Sequence, residues 1–407
     1  MTADWKSQLA LLRGRVTRIN HKYREPLKPL RYAAEAILPG REMENEYGRY
    51  FLSEKLFPAH RRHGSVELSR LAELSAELPA QISHNQIAPC LPRRWAFLDT
   101  ETTGLAGGTG TCAFLVGVGA LEETGFRVRL FFMRDYEEER AMLAGLSEWL
   151  GNFQLLITYN GKAYDAPLLD TRYRLARLPS PLQHLAHLDL LFAARRLWRL
   201  RLQTCRLVEL EKEILGVERE GDLPGEMIPY YYFEYLRTRE AFRLVPLFHH
   251  NVMDILSLAA LTAVVLPVFS APQAAPLRHG EDLLGLARWL RRNESQPEAL
   301  ALYRRAVQEG LADQNLFPAL WEIGQIEKKL GRLDQAIAGW RDLAQTKNPF
   351  QLQALEELAK HYEHSERNYP KALEMVEAAL AVEKLPDFER RRRRLERKTA
   401  SQARRLL

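Results

Sequence analysis

The stretch Trp95-Ala96-Phe97-Leu98-Asp99-Thr100-Glu101-Thr102 decides how this 407-residue chain is read. The apolar run Trp95 to Leu98 predicts a short buried strand. Side chains alternate faces along a strand, so Asp99 and Glu101 point the same way. Two carboxylates on one face, at the end of a buried strand, repel unless a cation sits between them. Hard divalent ions prefer oxygen ligands of this kind. An isolated Asp-x-Glu is more often a pair of solvent-facing acids, but Thr102-Thr103-Gly104-Leu105 follows directly and makes this pair more specific.

Outward from the strand, Gly104 to Gly110 is glycine-rich. It suits a wide hairpin turn and a close backbone approach to substrate about equally. It is not a P-loop, because the lysine and Ser/Thr of that motif are absent. Cys112 to Gly119 predicts a second strand, Glu123-Thr124-Gly125 a turn, and Arg127 to Phe132 a third strand. Asp135 and Glu138 make a capping-box-like helix start, and Gly151-Asn152 stops that helix after Leu150. Leu155 to Tyr159 is a fourth strand. This β-β-β-α-β order is that of the ribonuclease-H-like α/β fold, a mixed sheet flanked by helices. Helical patterns dominate from Pro167 to about Val268.

Two more segments carry candidate chemistry. Asn160-Gly161-Lys162-Ala163-Tyr164-Asp165 lies just past the fourth strand, where α/β sheets tend to place ligand sites. Alone, it reads as an Asn-Gly turn with a capping aspartate. His249-His250-Asn251-Val252-Met253-Asp254 opens an apolar helix. His250 and Asp254 are one turn apart on one face, and such a histidine can position and deprotonate a water. On its own, a His pair before a core helix is more often structural.

Together the three segments resemble the motifs of the DEDD exonuclease superfamily: Asp-x-Glu, Asn-x-x-x-aromatic-Asp, and His or Tyr followed by Asp. Asp99 to Gly119, His187 to Trp198, Glu211 to Arg219 and Gly221 to Gly225 resemble the bacterial YprB-type, DnaQ-like ribonuclease-H-like exonucleases. The resemblance implies metal-dependent 3′→5′ hydrolysis of nucleic acid, DNA rather than RNA, in DNA repair. It implies two Mg²⁺ or Mn²⁺ ions held by Asp99, Glu101, Asp165 and Asp254, and His250 is favoured as general base for its one-turn relation to Asp254. His249 is a rival base, since the doublet fits both frames of the third motif. Substrate contacts are expected at Thr102, Gly104, Leu105, Asn160, Tyr164 and Asn251. A protein partner, a helicase being one candidate, would dock on the C-terminal repeats.

Those repeats lie beyond a proline-bearing linker at 270–279. Ala299, Ala336 and Ala372 recur at intervals of 37 and 36 residues. Each follows a helix-turn, which resembles tetratricopeptide repeats of about 34 residues. The expected organisation is a lead-in over 1–94 with a helix near Val66–Leu78, the ribonuclease-H-like unit over 95–269, and an all-α repeat region over 280–407.

The composition, 27% charged and 46% hydrophobic, is ordinary for a globular protein. A net charge of +6 is compatible with a polyanionic partner. Cys90, Cys112 and Cys205 form no CxxC pair and no disulfide framework, which fits a reducing, cytoplasmic compartment. The uncharged run starting at Ile255 is broken at Pro267 and reads as a buried core helix, so no membrane is expected. Arg195, Arg196, Trp198, Arg199 and Arg201 gather on one predicted helix. They suit phosphate and base contacts, but a packed Trp198 with solvated arginines is slightly favoured. Asp189 reads as a capping or supporting acid. The same chemistry on RNA, a structure-specific endonuclease of this fold, and a non-catalytic repeat-based adaptor are the alternatives.

Overall fold

The computed structural model describes residues 34–83, 86–104, 110–219, 221–293 and 295–406. Residues 105–109 of the glycine-rich stretch, Leu105 among them, lie outside the described residues. The strands are β1 (Arg41–Asn45), β2 (Gly48–Pro58), β3 (Arg62–His63), β4 (Val66–Glu67), β5 (Trp95–Thr102), β6 (Ala113–Leu121), β7 (Gly125–Phe132), β8 (Leu155–Thr158) and β9 (Ala186–Asp189). Seven form one mixed sheet in the order β1-β2-β7-β6-β5-β8-β9, while β3 and β4 make a small separate ribbon. The β5–β6 and β6–β7 pairs are antiparallel, and β5–β8 and β8–β9 are parallel. The predicted β-β-β-α-β order is therefore present, with α1 (Glu139–Leu150) as the crossover.

Every residue of β6 is buried, as expected for a central strand covered on both faces. One cover is α5 (Val245–Ser270), which packs on β5, β6 and β7. Pro267 lies inside this helix and does not end it. Ala241–Ser270 is long and apolar enough to cross a membrane, but 72% of its apolar window is buried inside the molecule. Other helices of this region include α2 (Asp165–Leu175), α3 (Leu190–Trp198) and α4 (Ile228–Thr238).

The lead-in departs from its reading. β1 and β2 extend the sheet beyond β7, and the helix expected near Val66–Leu78 is a 3₁₀ segment, Leu68–Glu73, followed by the short helix Leu78–Ile82. β2 combines a buried run, Tyr50 to Ser53, with charged residues that pair across the sheet edge, so no clean alternation marks it as a strand.

The C-terminal region is helical: α6 (Gly280–Arg292), α7 (Gln296–Glu309), α8 (Asp313–Lys329), α9 (Leu333–Gln345), α10 (Gln351–His364), α11 (Tyr369–Val382) and α12 (Pro386–Leu406). Ala299, Ala336 and Ala372 are fully buried, each at the fourth position of α7, α9 and α11. A methyl there lets the paired helix come close. The segment 270–279 does not separate two cores. Leu283, Leu286, Leu302 and Ala319 belong to the same apolar cluster as the sheet, and a second cluster begins only at Ala336. Gly285 permits the closest approach, since a Cβ there would stand 2.2 Å from the carbonyl oxygen of Arg196 on α3. A bidentate pair from Arg201 to the buried Asp282 fastens the same contact.

Candidate active site

Asp99 and Glu101 stand at the carboxyl end of β5, between β6 and β8. Across β6, Gly117 is the register partner of Asp99 and Gly119 that of Phe97. These glycines let α5 settle on the sheet. A Cβ at Gly117 would lie 1.9 Å from Oδ1 of Asn251, and one at Gly119 would lie 2.5 Å from Ile255. With no side chain in the way, Nδ2 of Asn251 donates to Oδ2 of Asp99 at 2.8 Å and reaches Oε1 of Glu101 at 3.4 Å. Asn251 is fully buried. The sequence places a substrate contact at Asn251, and in the structure its amide is turned onto the two acids.

Asp165 opens α2, and its Oδ1 accepts from the hydroxyl of Thr100 at 2.5 Å. The preceding loop is shaped by Asp189, which accepts from the backbone N–H groups of Asn160, Lys162 and Leu191. One buried carboxylate thus caps α3 and ties the loop down, as its sequence position suggested. Asn160 adopts a left-handed φ of 66°, which Asn tolerates better than most residues. Tyr164 projects into solvent, 62% exposed.

α5 delivers the third motif. Nε2 of His250 lies 3.4 Å from Oδ2 of Asp254, one turn along. Nδ1 of His250 is held 2.9 Å from both oxygens of Asp222. His249 points elsewhere, into a recess lined by Ile37, Phe248 and Val252. Arg219 gathers three acids: its guanidinium pairs with Glu211, Asp222 and Asp254. Glu211 is wholly buried at the start of a single π-helical turn, Glu211–Leu215. Such turns often mark functional sites.

The electrostatics record crowding of negative charge. Burial, reinforced by the carboxylates of Asp254, Glu101 and Asp165, holds Asp99 well above the usual carboxylate range. Burial and then Asp254 push Glu101 up to about 7. Burial raises Asp165 to about 6, against the hydrogen bond from Thr100. Burial disfavours a charged ring at His250, but Asp254, Glu101 and Asp222 outweigh it and leave His250 raised. One ligand atom each from Glu101, His250 and Asp254 lie within 4.8 Å of one another. Hard oxygen donors that repel one another, with Asp99 and Asp165 alongside, fit divalent ions such as Mg²⁺ or Mn²⁺.

The structure thus brings together Asp99, Glu101, Asp165, His250 and Asp254. Thr102 and Gly104 lie nearby in the chain, with the Thr102 hydroxyl bonded to the Gly104 carbonyl. Sequence reasoning gave no role to Glu211, Arg219 or Asp222. Their signals were the resemblance carried by Glu211 to Arg219 and Gly221 to Gly225, and the Gly216 and Gly221 breaks around a charged run.

A mixed sheet with a carboxylate pair at the end of inner strand β5, joined by acids from two neighbouring helices, is that of a nuclease-like protein of the ribonuclease H superfamily. A sequence profile of the RNase_H superfamily matches residues 96–266. The chain is 33% identical over 343 residues to the uncharacterized protein YprB of Bacillus subtilis (strain 168), covering 83% of this chain and 81% of that protein. It belongs to the YprB family within that superfamily. Among solved structures it is similar to the family B DNA polymerase from the hyperthermophilic archaeon Pyrobaculum calidifontis, at 16% identity and a TM-score of 0.35. That similarity covers 50% of this chain and 30% of the polymerase.

Proposed function

We propose that the chain is a two-metal-ion exonuclease that hydrolyses phosphodiester bonds of DNA from the 3′ end, in DNA repair. The observation that carries the reading is the convergence of Asp99, Glu101, Asp165 and Asp254 beside His250. Burial and then the neighbouring Asp254 carboxylate push Glu101 up to about 7. Polarity, the preference for DNA and the repair role rest on the family resemblance.

Asp99, Glu101, Asp165 and Asp254 would hold two Mg²⁺ or Mn²⁺ ions. When bound, these would supply Lewis-acid activation of water and neutralise charge on the leaving oxygen. The chain's own residues do the rest. Asp222 accepts the Nδ1 proton of His250, which leaves Nε2 as the face that takes a proton from the attacking water. Asn251 holds Asp99 and Glu101 in place. Asn160, fixed through Asp189, and exposed Tyr164 would contact the substrate end, as would Thr102 and Gly104. The helical region, whose buried alanines suit tetratricopeptide-like repeats, would present a concave surface to a protein partner.

The test uses 3′- and 5′-end-labelled single- and double-stranded DNA, and RNA, with Mn²⁺ or Mg²⁺. Metal-dependent shortening from the 3′ end of DNA, absent in Asp99→Ala/Glu101→Ala, supports the reading. Shortening from the 5′ end would overturn the polarity, a preference for RNA the substrate, and internal cuts the exonuclease.

A further inference from the structure

Arginine side chains gather along α3 and α6. A cleft of about 620 Å³ is lined by Tyr159, Asn160, Arg195, Arg199, Thr204 and Arg206. It therefore opens on the loop that leads to Asp165. A second hollow of about 380 Å³ carries Arg195, Arg196 and Arg199 across to Arg288 and Arg292 on α6. The two share Arg195 and Arg199, so they form one lane running from the Tyr159–Asn160 loop, which leads to Asp165, onto the first helix of the C-terminal region.

The arginines of this face divide into two sets. Arg201 is consumed by Asp282 and Arg288 by Glu322, and both pairs join helices to each other. Among the described residues, Arg195, Arg196, Arg199, Arg206 and Arg292 make no ion pair and no side-chain hydrogen bond. Arg196 and Arg292 instead sit near enough to repel one another. Folding does not require like charges to be gathered and left unpaired, whereas a polyanion does. Trp198 takes no part in the lane, being 2% exposed. The rigid α3–α6 contact through Gly285 holds the two arginine rows in fixed relation.

We infer that this lane binds the phosphodiester backbone of the substrate strand at a distance from the scissile bond. The first helix of the C-terminal region is then part of the substrate platform, besides any role as a partner surface. The inference rests on the proposed nucleic-acid substrate but not on its cleavage.

The test is fluorescence anisotropy of the full chain with labelled oligodeoxyribonucleotides and oligoribonucleotides. EDTA is present so that binding is read apart from hydrolysis. Arg195→Ala/Arg199→Ala and Arg196→Ala/Arg292→Ala are compared with Lys347→Ala/Lys384→Ala, which removes the same charge from exposed positions far along the chain. Each arginine double variant is expected to raise Kd about tenfold or more and to flatten the salt dependence by roughly 0.7 per lost contact. The lysine variant should bind as wild type. Weakening with either sugar supports the lane. Unchanged Kd and salt slope in both arginine variants, or equal weakening by the lysine variant, overturns it. Wild-type cleavage is assayed separately with Mn²⁺. A protein that binds through the lane without cutting keeps this inference and loses the exonuclease, and one that cuts while the variants bind normally does the reverse.

Discussion

Nδ1 of His250 lies 2.9 Å from both carboxylate oxygens of Asp222, and this contact fixes which ring nitrogen faces the acids. It also separates the two histidines that the sequence left as rivals. His250→Gln is expected to lower kcat by about 10²–10⁴, and Asp222→Asn to lower it less. His249→Ala should change kcat less than about twofold, within the range of a surface substitution. Steady-state kinetics on one oligonucleotide check this. A larger loss in His249→Ala than in His250→Gln contradicts it.

Gly117 is predicted to be as sensitive as a catalytic side chain, although it has none. In Gly117→Ala the new methyl would lie 1.9 Å from Oδ1 of Asn251, so either α5 or the Asn251 amide must shift. Both routes disturb Asp99 and Glu101. An activity loss of about tenfold or more is expected, with the fold retained by circular dichroism. Wild-type activity in Gly117→Ala would contradict the role given to Asn251.

Divalent ions should stabilise the protein in a pH-dependent way. In the metal-free protein Glu101 titrates near 7 instead of near 4.5. Its charged form is therefore destabilising above pH 7. As pH falls from 7 toward 4.5 the folded protein holds a proton that the unfolded chain does not, and the cost shrinks until it is gone below about 4.5. The rise in Tm on adding Mn²⁺ should be large at pH 8 and small at pH 5.5. Likewise, Glu101→Gln should stabilise the metal-free protein at pH 8 by on the order of 1–3 kcal/mol. His63 and His187, both pushed down to about 4 chiefly by burial, work the other way. Below pH 6.5 the unfolded chain binds protons that they do not, so comparison with and without metal at each pH removes their contribution. A metal shift that does not change with pH would count against the carboxylate ligands.

Arg219 links the site to stability. Removing it leaves Glu211 buried and unpaired, so Arg219→Ala should cost about 3–5 kcal/mol in urea unfolding. Arg219→Met/Glu211→Leu should recover much of that loss, because the uncompensated charge goes too. A double variant no more stable than Arg219→Ala would show that the pair is not what holds this loop.

The central strands were legible because they are buried on both faces and read as unbroken apolar runs from Trp95 to Leu98 and from Ala113 to Val118. Alternation placed Asp99 and Glu101 on one face, and the helical turn joined His250 to Asp254. β1 and β2 were not legible, because paired arginines and glutamates interrupt their apolar residues. Glu211, Arg219 and Asp222 were missed for a related reason. A charged run after an apolar helix looks the same whether it is solvated or folded back onto an acid cluster. Asn251 was placed at the site from its motif, but only the glycines facing it on β6 show that it serves the acids. The continuity of the core across 270–279 had no sequence mark, since small residues and prolines suit both a free linker and a tight turn between packed helices.

The most direct measurement is a Mn²⁺ titration of metal-stripped protein on an end-labelled oligonucleotide, with Asp99→Asn beside the wild type. The account predicts no cleavage in EDTA, cleavage that rises with Mn²⁺, and none from Asp99→Asn at any concentration. Cleavage that survives EDTA or the substitution, or intact DNA and RNA in every lane, would contradict it.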